Sequence, residues 1–100
     1  MTTVMSFEQV RYFVAVAEER HVGRAARRLR IAQPAVSRQI RNLETELGTS
    51  LFQRTPRGMS LSDSGTLFLT HARAILELVD HARSTVQRGR ETPETPESGS

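Results

Sequence analysis

Side chains suited to contacting the bases and phosphates of a DNA groove lie along one side of a segment that begins near Gln33. They are Gln33, Pro34, Ser37, Arg38 and Arg41. An arginine guanidinium can bond O6 and N7 of guanine together, and a glutamine amide can bond N6 and N7 of adenine. Hydroxyls near the start of a helix suit phosphate oxygens. These residue types, held on one helix, predict contact with double-stranded DNA in its major groove.

Apolar residues on the other side of the same segment define the helix that must hold this polar edge. They are Val36, Ile40, Leu43 and Leu47. Their spacing of i, i+4, i+7 and i+11 places them on one face of an α-helix. Pro34 suits the first turn of this helix, and Gly48 suits its C-terminal cap. The segment 33–47 is therefore predicted to be a recognition helix with a buried apolar face.

Arginine is concentrated around this helix. The chain has a net charge of +3 and no lysine, and residues 20–57 hold nine arginines against two acids, Glu44 and Glu46. A basic block of this kind suits a polyanion, although an ordinary solvated surface could also carry it. Charge alone therefore leaves DNA binding and plain solubility as open alternatives.

Three helices and a hairpin are predicted for residues 6–61. Ser6 and Gln9 form a capping-box pattern for a first helix that runs to about Arg20. A second helix fits 22–29, and strands at 51–54 and 59–61 flank a turn at 55–58. The predicted fold is mainly α, a winged helix-turn-helix with a two-stranded wing. Helical bundles without a ligand share parts of this pattern, but the basic block, the short break after 29 and the wing together favour DNA.

Residues 62–88 are predicted to form one long helix that links two copies of the chain. Ser62 and Asp63 suit its N-terminus, and no proline follows until Pro93. Its apolar residues cover an arc of roughly 220°, whereas a helix that docks only on its own domain needs about 100°. A small chain has little other apolar surface to cover the excess, so a dimer is favoured over a helix that folds back on its own domain. The predicted dimerisation residues are Phe68, Ile75, Leu78, Val79, Ala82 and Val86.

The ends of the chain and its composition complete the expected organisation. Residues 1–5 carry no pattern and are expected to be flexible, while residues 89–100 repeat Thr-Pro-Glu and have the composition of a disordered tail or linker, either native or artificial. The chain has no cysteine, no apolar run of membrane-spanning length and no secretory signal pattern. A cytoplasmic protein without a cofactor or a membrane partner is expected.

Enzymatic activity and plain dimerisation are the competing function classes. His21, His71 and His81 are the only histidines, and no cysteine or paired carboxylate completes a metal or catalytic site around them. An enzyme is therefore not expected, and no metal ligand is assigned. A module that only dimerises would show no salt-dependent affinity for DNA, whereas a DNA-binding protein would lose affinity steeply as salt rises.

Several segments together resemble the N-terminal domain of LysR-type transcriptional regulators. They are Phe-Val-Ala-Val-Ala-Glu-Glu at 13–19, Ala-Ala-Arg-Arg-Leu at 25–29, Gln-Pro-Ala-Val-Ser-Arg-Gln-Ile at 33–40, Leu-Glu at 43–44, Glu-Leu-Gly at 46–48, Leu-Phe-Gln-Arg at 51–54 and Leu-Ser at 61–62. The resemblance covers about residues 6–88, and the segment at 33–40 with its downstream motifs is highly specific. It implies a winged helix-turn-helix that binds an interrupted palindrome as a dimer.

The resemblance also implies roles for individual residues. Arg54 matches a position at the base of the wing near phosphate, and Arg57 matches a wing-tip position that enters the minor groove, where arginine is drawn to narrow A·T tracts. The family often forms tetramers over two sites, and its effector domain follows the linker helix. That domain is absent here, so no small-molecule effector is expected for this chain. The positions that match the family's major-groove contacts are Gln33, Pro34, Ala35, Ser37 and Arg38.

Two positions depart from the family pattern. The family usually has a serine and an aromatic residue where this chain has His21 and Val22, which predicts a weaker N-cap for the second helix and leaves His21 as a phosphate contact. The family often has a hydroxyl at the position of Ala32, where it caps the recognition helix and meets phosphate. Arg30 is the candidate to replace that lost contact.

Overall fold

The structure, a computed structural model, describes residues 4–91 and contains four helices and one hairpin in that range. The predicted fold class, a mainly α winged helix-turn-helix followed by a long helix, is confirmed. The elements are α1 (Phe7–Glu19), α2 (Val22–Leu29), α3 (Gln33–Leu47), β1 (Phe52–Thr55), β2 (Gly58–Leu61) and α4 (Asp63–Glu91).

Short-range capping bonds set the boundaries of the first helices. The Ser6 hydroxyl accepts from the Gln9 N–H at 3.1 Å, and the Gln9 side chain accepts from the Ser6 N–H at 3.1 Å. This reciprocal pair satisfies two amides that the first helical turn cannot bond internally. The C-cap residues that follow α1 and α2 are Arg20 and Arg30, both in the left-handed region, at φ 57° and 61°. The sequence predicted both helices close to these limits.

A cluster of three aromatic rings joins the elements of the domain. Phe13 of α1 is fully buried, and its ring centroid lies 5.3 Å from that of Phe52 in β1 and 5.0 Å from that of Phe68 in α4. Val36 and Leu43 attach α3 to the same core, and both are fully buried. The core therefore lies behind α3, so that the opposite side of that helix is free.

The hairpin is docked on the helices through its backbone. β1 and β2 are antiparallel, with Phe52 opposite Leu61 and Thr55 opposite Gly58. The Met59 N–H donates to the Arg20 carbonyl at 3.1 Å. Gly58 has φ 130°, and a Cβ there would lie 2.5 Å from the same carbonyl oxygen. Glycine is therefore required for both the conformation and the close approach, and the wing is held against the turn between α1 and α2.

The first strand begins one residue later than the sequence predicted. The predicted strand started at Leu51, but both backbone groups of Leu51 are bonded outside the hairpin. Its N–H donates to the Glu44 carboxylate at 2.8 Å, and its carbonyl accepts from the Ser62 N–H at 2.9 Å. Leu51 is consequently fixed as a buried link between α3 and α4.

The long helix docks with its first turns and then leaves the domain. Ala72 is buried, Leu69 and Leu76 are partly buried against the core, and every residue from 80 to 90 is exposed. The helix continues to Glu91, so residues 89–91, which the sequence assigned to the tail, are helical. The rest of the predicted tail, 92–100, and residues 1–3 of the predicted flexible N-terminus lie outside the described residues.

Candidate nucleic-acid interface

The polar edge of α3 is free in the folded chain. Gln33, Pro34, Arg38 and Arg41 are exposed, while Ala35 and Ser37 are half-buried next to them. The apolar face on the other side is buried at Val36, Ile40 and Leu43, as predicted from its spacing. Leu47, predicted to complete that face, is instead 36% exposed because the helix ends beside it at Gly48.

Ala32 caps α3 without a side-chain hydrogen bond. Its backbone is extended, at φ −69° and ψ 140°, as at other N-caps, but a methyl group cannot accept a bond from the first-turn amides. Pro34 lies in that first turn, where the absence of its N–H costs little. The start of the recognition helix is therefore open to an external acceptor such as a phosphate oxygen.

His21 caps α2 with its ring. Its Nδ1 accepts from the Arg24 N–H at 3.1 Å, so the imidazole makes a side-chain cap bond that the sequence did not indicate. A neutral imidazole that accepts at Nδ1 carries its proton on Nε2, which is then a donor. The ring packs over Gly23, where a Cβ would lie 2.9 Å from His21 Cε1 and 3.3 Å from Gln33 Oε1. The glycine thus brings the starts of α2 and α3 together.

Two depressions separate α3 from the wing, and the predicted DNA-binding residues line both. In the first, His21 and Gln33 lie on one side and Arg54 and Arg57 on the other. In the second, Ser37 and Arg41 of α3 face Arg54 from across the gap. Arg54 and Arg57 are exposed, and the Arg57 N–H is held by the Thr55 hydroxyl at 3.2 Å. The fold therefore gathers residues from α2, α3 and the wing on one side of the domain.

Some arginines of the basic block are bound to acids of α1. Arg28 binds Glu18 at 2.8 Å and Glu19 at 3.3 Å, and Arg24 lies 3.8 Å from Glu19. Glu18 also binds Arg73 of α4 at 3.3 Å. The hydrogen bond from Arg28 lowers the pKa of Glu18, with the nearby positive charges adding to the effect, and the bond to Glu18 raises the pKa of Arg28. These arginines serve the packing of α1, α2 and α4.

The other arginines of the block have no acidic partner within residues 4–91. They are Arg20, Arg27, Arg30, Arg38, Arg41, Arg54 and Arg57. All are exposed. The surface around the start of α3 therefore has a positive potential that the protein itself does not neutralise, which is the electrostatic property a nucleic-acid surface needs.

Two contacts that orient α3 were not found from the sequence. The Glu44 carboxylate accepts from the N–H groups of Leu51 and Phe52 at 2.8 and 3.4 Å, so it ties the end of α3 to the wing. The side-chain Nε2 of Gln9 donates to the side-chain Oε1 of Gln39 at 3.3 Å and ties α3 to α1. The Leu-Glu motif marks the first contact, whereas the second joins residues 30 positions apart and has no local signal.

The dimerisation residues predicted on α4 divide into two groups. Ile75, Leu78, Ala82 and Val86 are exposed, Leu78 by 66% and Val86 by 64%, and Val79 is half-buried. Phe68 packs edge-on against Phe13 of its own domain, which gives it a role in the core that the sequence did not indicate. Leu67, which was not in the predicted set, is 72% exposed. An apolar strip thus stays open along α4.

Two negative findings apply to residues 4–91. No helix there is both long and apolar enough to cross a membrane. Histidine, aspartate and glutamate side chains do not come together there in a group of three or more that could hold a metal ion.

Known proteins resemble this chain in sequence and in structure. A profile described as "Bacterial regulatory helix-turn-helix protein, lysR family" matches residues 7–66. The HTH-type transcriptional regulator ClcR of Pseudomonas putida is 53% identical over 79 residues, which cover 79% of this chain and 27% of ClcR. The HTH-type transcriptional regulator TfdS of Cupriavidus pinatubonensis is 55% identical over 86 residues, covering 86% of this chain and 28% of TfdS.

Solved structures with this fold include DNA complexes. The BenM DBD in its complex with benA site 1 DNA has a TM-score of 0.80 and 44% identity, covering 84% of this chain and 98% of that one. The CbnR DBD in its DNA complex has a TM-score of 0.79 and 41% identity, covering 86% and 99%.

These similarities agree with the arrangement of the residues. The chain spans a little over a quarter of the length of the curated relatives quoted above. Those relatives are transcriptional regulators and not enzymes, which agrees with the prediction from the sequence. The match over 7–66 takes in α1, α2, α3 and the wing and ends in the first turn of α4. The chain belongs to the lysR family of bacterial regulatory helix-turn-helix proteins.

Proposed function

We propose that this chain binds double-stranded DNA in a sequence-specific manner, with α3 in the major groove and the wing at the minor groove. The observation that carries the proposal is the group of exposed arginines without acidic partners around the exposed edge of α3. Similar chains of known structure were solved in complexes with DNA, which supports the same partner here. We place this activity in the bacterial cytoplasm, at the nucleoid.

The residues of the interface divide into those that read bases and those that bind the backbone. Gln33 and Arg38 lie near the start of α3. The Gln33 amide can accept from N6 and donate to N7 of adenine, and the Arg38 guanidinium can donate to O6 and N7 of guanine. Pro34 and Ala35 offer apolar surface there, while Ser37, Arg41 and His21 flank it and suit phosphates. Arg54 at the base of the wing binds phosphate. Arg57, at the tip of the two-residue turn, enters the minor groove.

The proposed unit of binding is a homodimer formed through α4. Its exposed apolar strip at Ile75, Leu78, Ala82 and Val86 would otherwise remain in water. A two-fold dimer carries two recognition helices and places them about one or two helical turns apart on the duplex, which calls for an interrupted palindrome. In a longer protein with an effector domain, such dimers would pair as tetramers.

Alanine substitutions at Arg38 and Arg54 test the two kinds of contact. Binding sites are first selected from random duplex DNA, and affinity is then measured on the selected site and on variants with one base pair changed. Arg38→Ala should cost about 1–3 kcal/mol on the selected site and remove the preference at particular base pairs, whereas Arg54→Ala should weaken all duplexes to a similar degree. Arg83→Ala, which removes an exposed arginine far along α4, is the charge control.

Other outcomes of this experiment would revise the proposal. Uniform weakening by Arg38→Ala would move Arg38 from base reading to phosphate binding. If selection enriched no sequence and affinity did not depend on salt, the chain would be a dimerisation module and not a DNA-binding domain.

A further inference from the structure

A third depression lies beside the start of α3, on the side away from the wing. Arg27 and Arg30 line it together with Ala32 and Gln33. Gln33 and Gly23 also line the depression that contains Arg54 and Arg57. The start of the recognition helix thus stands between two basic depressions, one formed with the wing and one formed with the end of α2.

The arginines of α2 are sorted by their partners. Arg24 and Arg28, one turn apart, are held by Glu19 and Glu18 of α1. Arg27 is exposed and has no acidic partner within residues 4–91, and the same is true of Arg30 directly after the helix. Packing therefore accounts for one pair and leaves the other pair unexplained.

The backbone at the end of α2 fixes where these two side chains start. Arg30 has φ 61°, and its N–H donates to the carbonyls of Ala26 and Arg27. The Ile31 N–H donates to the Ala26 carbonyl at 3.1 Å, and Ile31 itself is partly buried against the core. Glycine and asparagine adopt this left-handed conformation most readily, so the arginine at position 30 is not explained by the backbone conformation. A rigid backbone lowers the entropy cost of placing a guanidinium on a phosphate.

We propose that Arg27 and Arg30 form a second phosphate clamp, on the strand opposite the one held by the wing. The major groove is about 12 Å wide and is bounded by a phosphate backbone on each side. A helix whose tip enters that groove meets both backbones, and each of the two basic depressions faces one of them. The clamp also supplies the phosphate contact that Ala32, which has no hydroxyl, does not make.

This inference rests on the proposed DNA binding and adds to it a contact with the second strand of the DNA duplex. The chemistry is that of guanidinium groups bound to phosphate, without base reading. The clamp should therefore raise affinity for every sequence and leave the preferred site unchanged.

The clamp is tested by the salt dependence of binding to a mixed-sequence duplex roughly two helical turns long. Each phosphate contact contributes about 0.9 to the magnitude of the negative slope of log K against log salt concentration. The double variant R27A/R30A should therefore reduce that magnitude by about 1.8 for each bound chain, which is about 3.6 for the proposed homodimer. R83A/R90A removes two exposed arginines from α4 and should leave the slope unchanged. R27K/R30K keeps both charges and should keep most of the slope. Circular dichroism checks that each variant is folded.

A modified duplex locates the contact on the DNA. Neutral methylphosphonates are placed in turn along each strand beside the selected half-site. Substitution on the strand opposite the wing should weaken the wild type at least several-fold and have no further effect on R27A/R30A. If the slope is steep for the wild type and unchanged in folded R27A/R30A, the clamp is wrong while DNA binding stands. If the wild type has no salt-dependent affinity, the proposed function fails as well.

Discussion

At the scale of single residues, the most informative position of this interface is Ala32. It is the N-cap of α3, and neither its methyl group nor any other side chain accepts a bond from the first-turn amides. α1 and α2 have such bonds, from Ser6 and His21. The recognition helix is thus the one helix among α1, α2 and α3 whose start relies on backbone and solvent.

Replacing Ala32 with serine should stabilise the free domain. A serine at an N-cap is worth about 1 kcal/mol relative to alanine, because its hydroxyl bonds a first-turn amide. We expect A32S to raise the free energy of unfolding by about that amount in chemical denaturation at fixed protein concentration. A32V, which adds bulk without an acceptor, is the control. An A32S variant no more stable than A32V would contradict this account of the helix start.

Residue contacts were predictable where they are local. The Ser6–Gln9 box joins positions three apart, and its residue types appear together in the sequence. The cap by His21 was missed because an imidazole acts there in place of a hydroxyl. The Gln9–Gln39 bond joins helices whose relative rotation depends on the whole core, so no short pattern could have indicated it.

At the scale of elements, Glu18 joins three helices. It stands near the end of α1 and binds Arg28 of α2 and Arg73 of α4 at once. The contact with Arg73 ties the long helix to the DNA-reading part of the domain. Because these side chains are half-exposed, each pair contributes at most about 1 kcal/mol. Glu18 therefore adds a modest polar contact among three helices that the apolar core already holds together.

The stabilisation by Glu18 should depend on pH. Its pKa in the folded chain lies below the ordinary value of 4.5 because of its bond to Arg28. A carboxylate with a lowered pKa stabilises the fold above its unfolded pKa and loses that effect as the pH falls through its folded pKa. E18Q should thus be less stable than the wild type near neutral pH, and the difference should shrink as the pH falls below 4.5.

Denaturant unfolding over a series of pH values measures this difference, with E77Q on the exposed side of α4 as the charge-matched control. A gap between wild type and E18Q that stays constant into strong acid would show that the ion pairs are not its source.

The boundaries of helices and strands were predicted correctly where a glycine or a proline marks the end of an element. Gly48 ends α3 in the left-handed conformation, at φ 74°, and the turn at Pro56 separates the strands. The end of α4 was predicted three residues early, because Gly89 was taken as the start of the tail while the helix continues to Glu91. A single glycine lowers helix propensity by only about 1 kcal/mol and does not stop a long helix.

At the scale of the whole molecule, the dominant feature is the projection of α4. The described chain measures 57 × 31 × 25 Å, and the last turns of α4 contact none of the core. The sequence predicted an apolar arc too wide for one domain. The sequence could not show which residues of that arc pack on the core and which stay exposed, because this depends on how α4 crosses α1. Phe68 and Leu76 pack on the core, while Leu67 and Leu78 are left exposed.

An aspartate on the exposed strip should separate the proposed dimer. We expect I75D and L78D to sediment as monomers at concentrations where the wild type is dimeric, because a carboxylate buried in an apolar interface is unpaired. L78D is the cleaner variant, since Leu78 is 66% exposed and Ile75 only 37%. T70D adds the same charge on the polar side of α4 and should remain dimeric. A dimeric L78D would remove this strip from the interface.

The most direct test of the central claim is competition between two duplexes for the wild-type chain. One carries the site selected from random DNA, and the other carries the same base pairs in scrambled order, at physiological salt. If α3 reads bases in the major groove, the selected duplex should bind more tightly by a factor on the order of 10³ or more. R38A should reduce that ratio by about 5- to 150-fold, which corresponds to the loss of about 1–3 kcal/mol. Equal affinity of the wild type for the two duplexes would contradict the account.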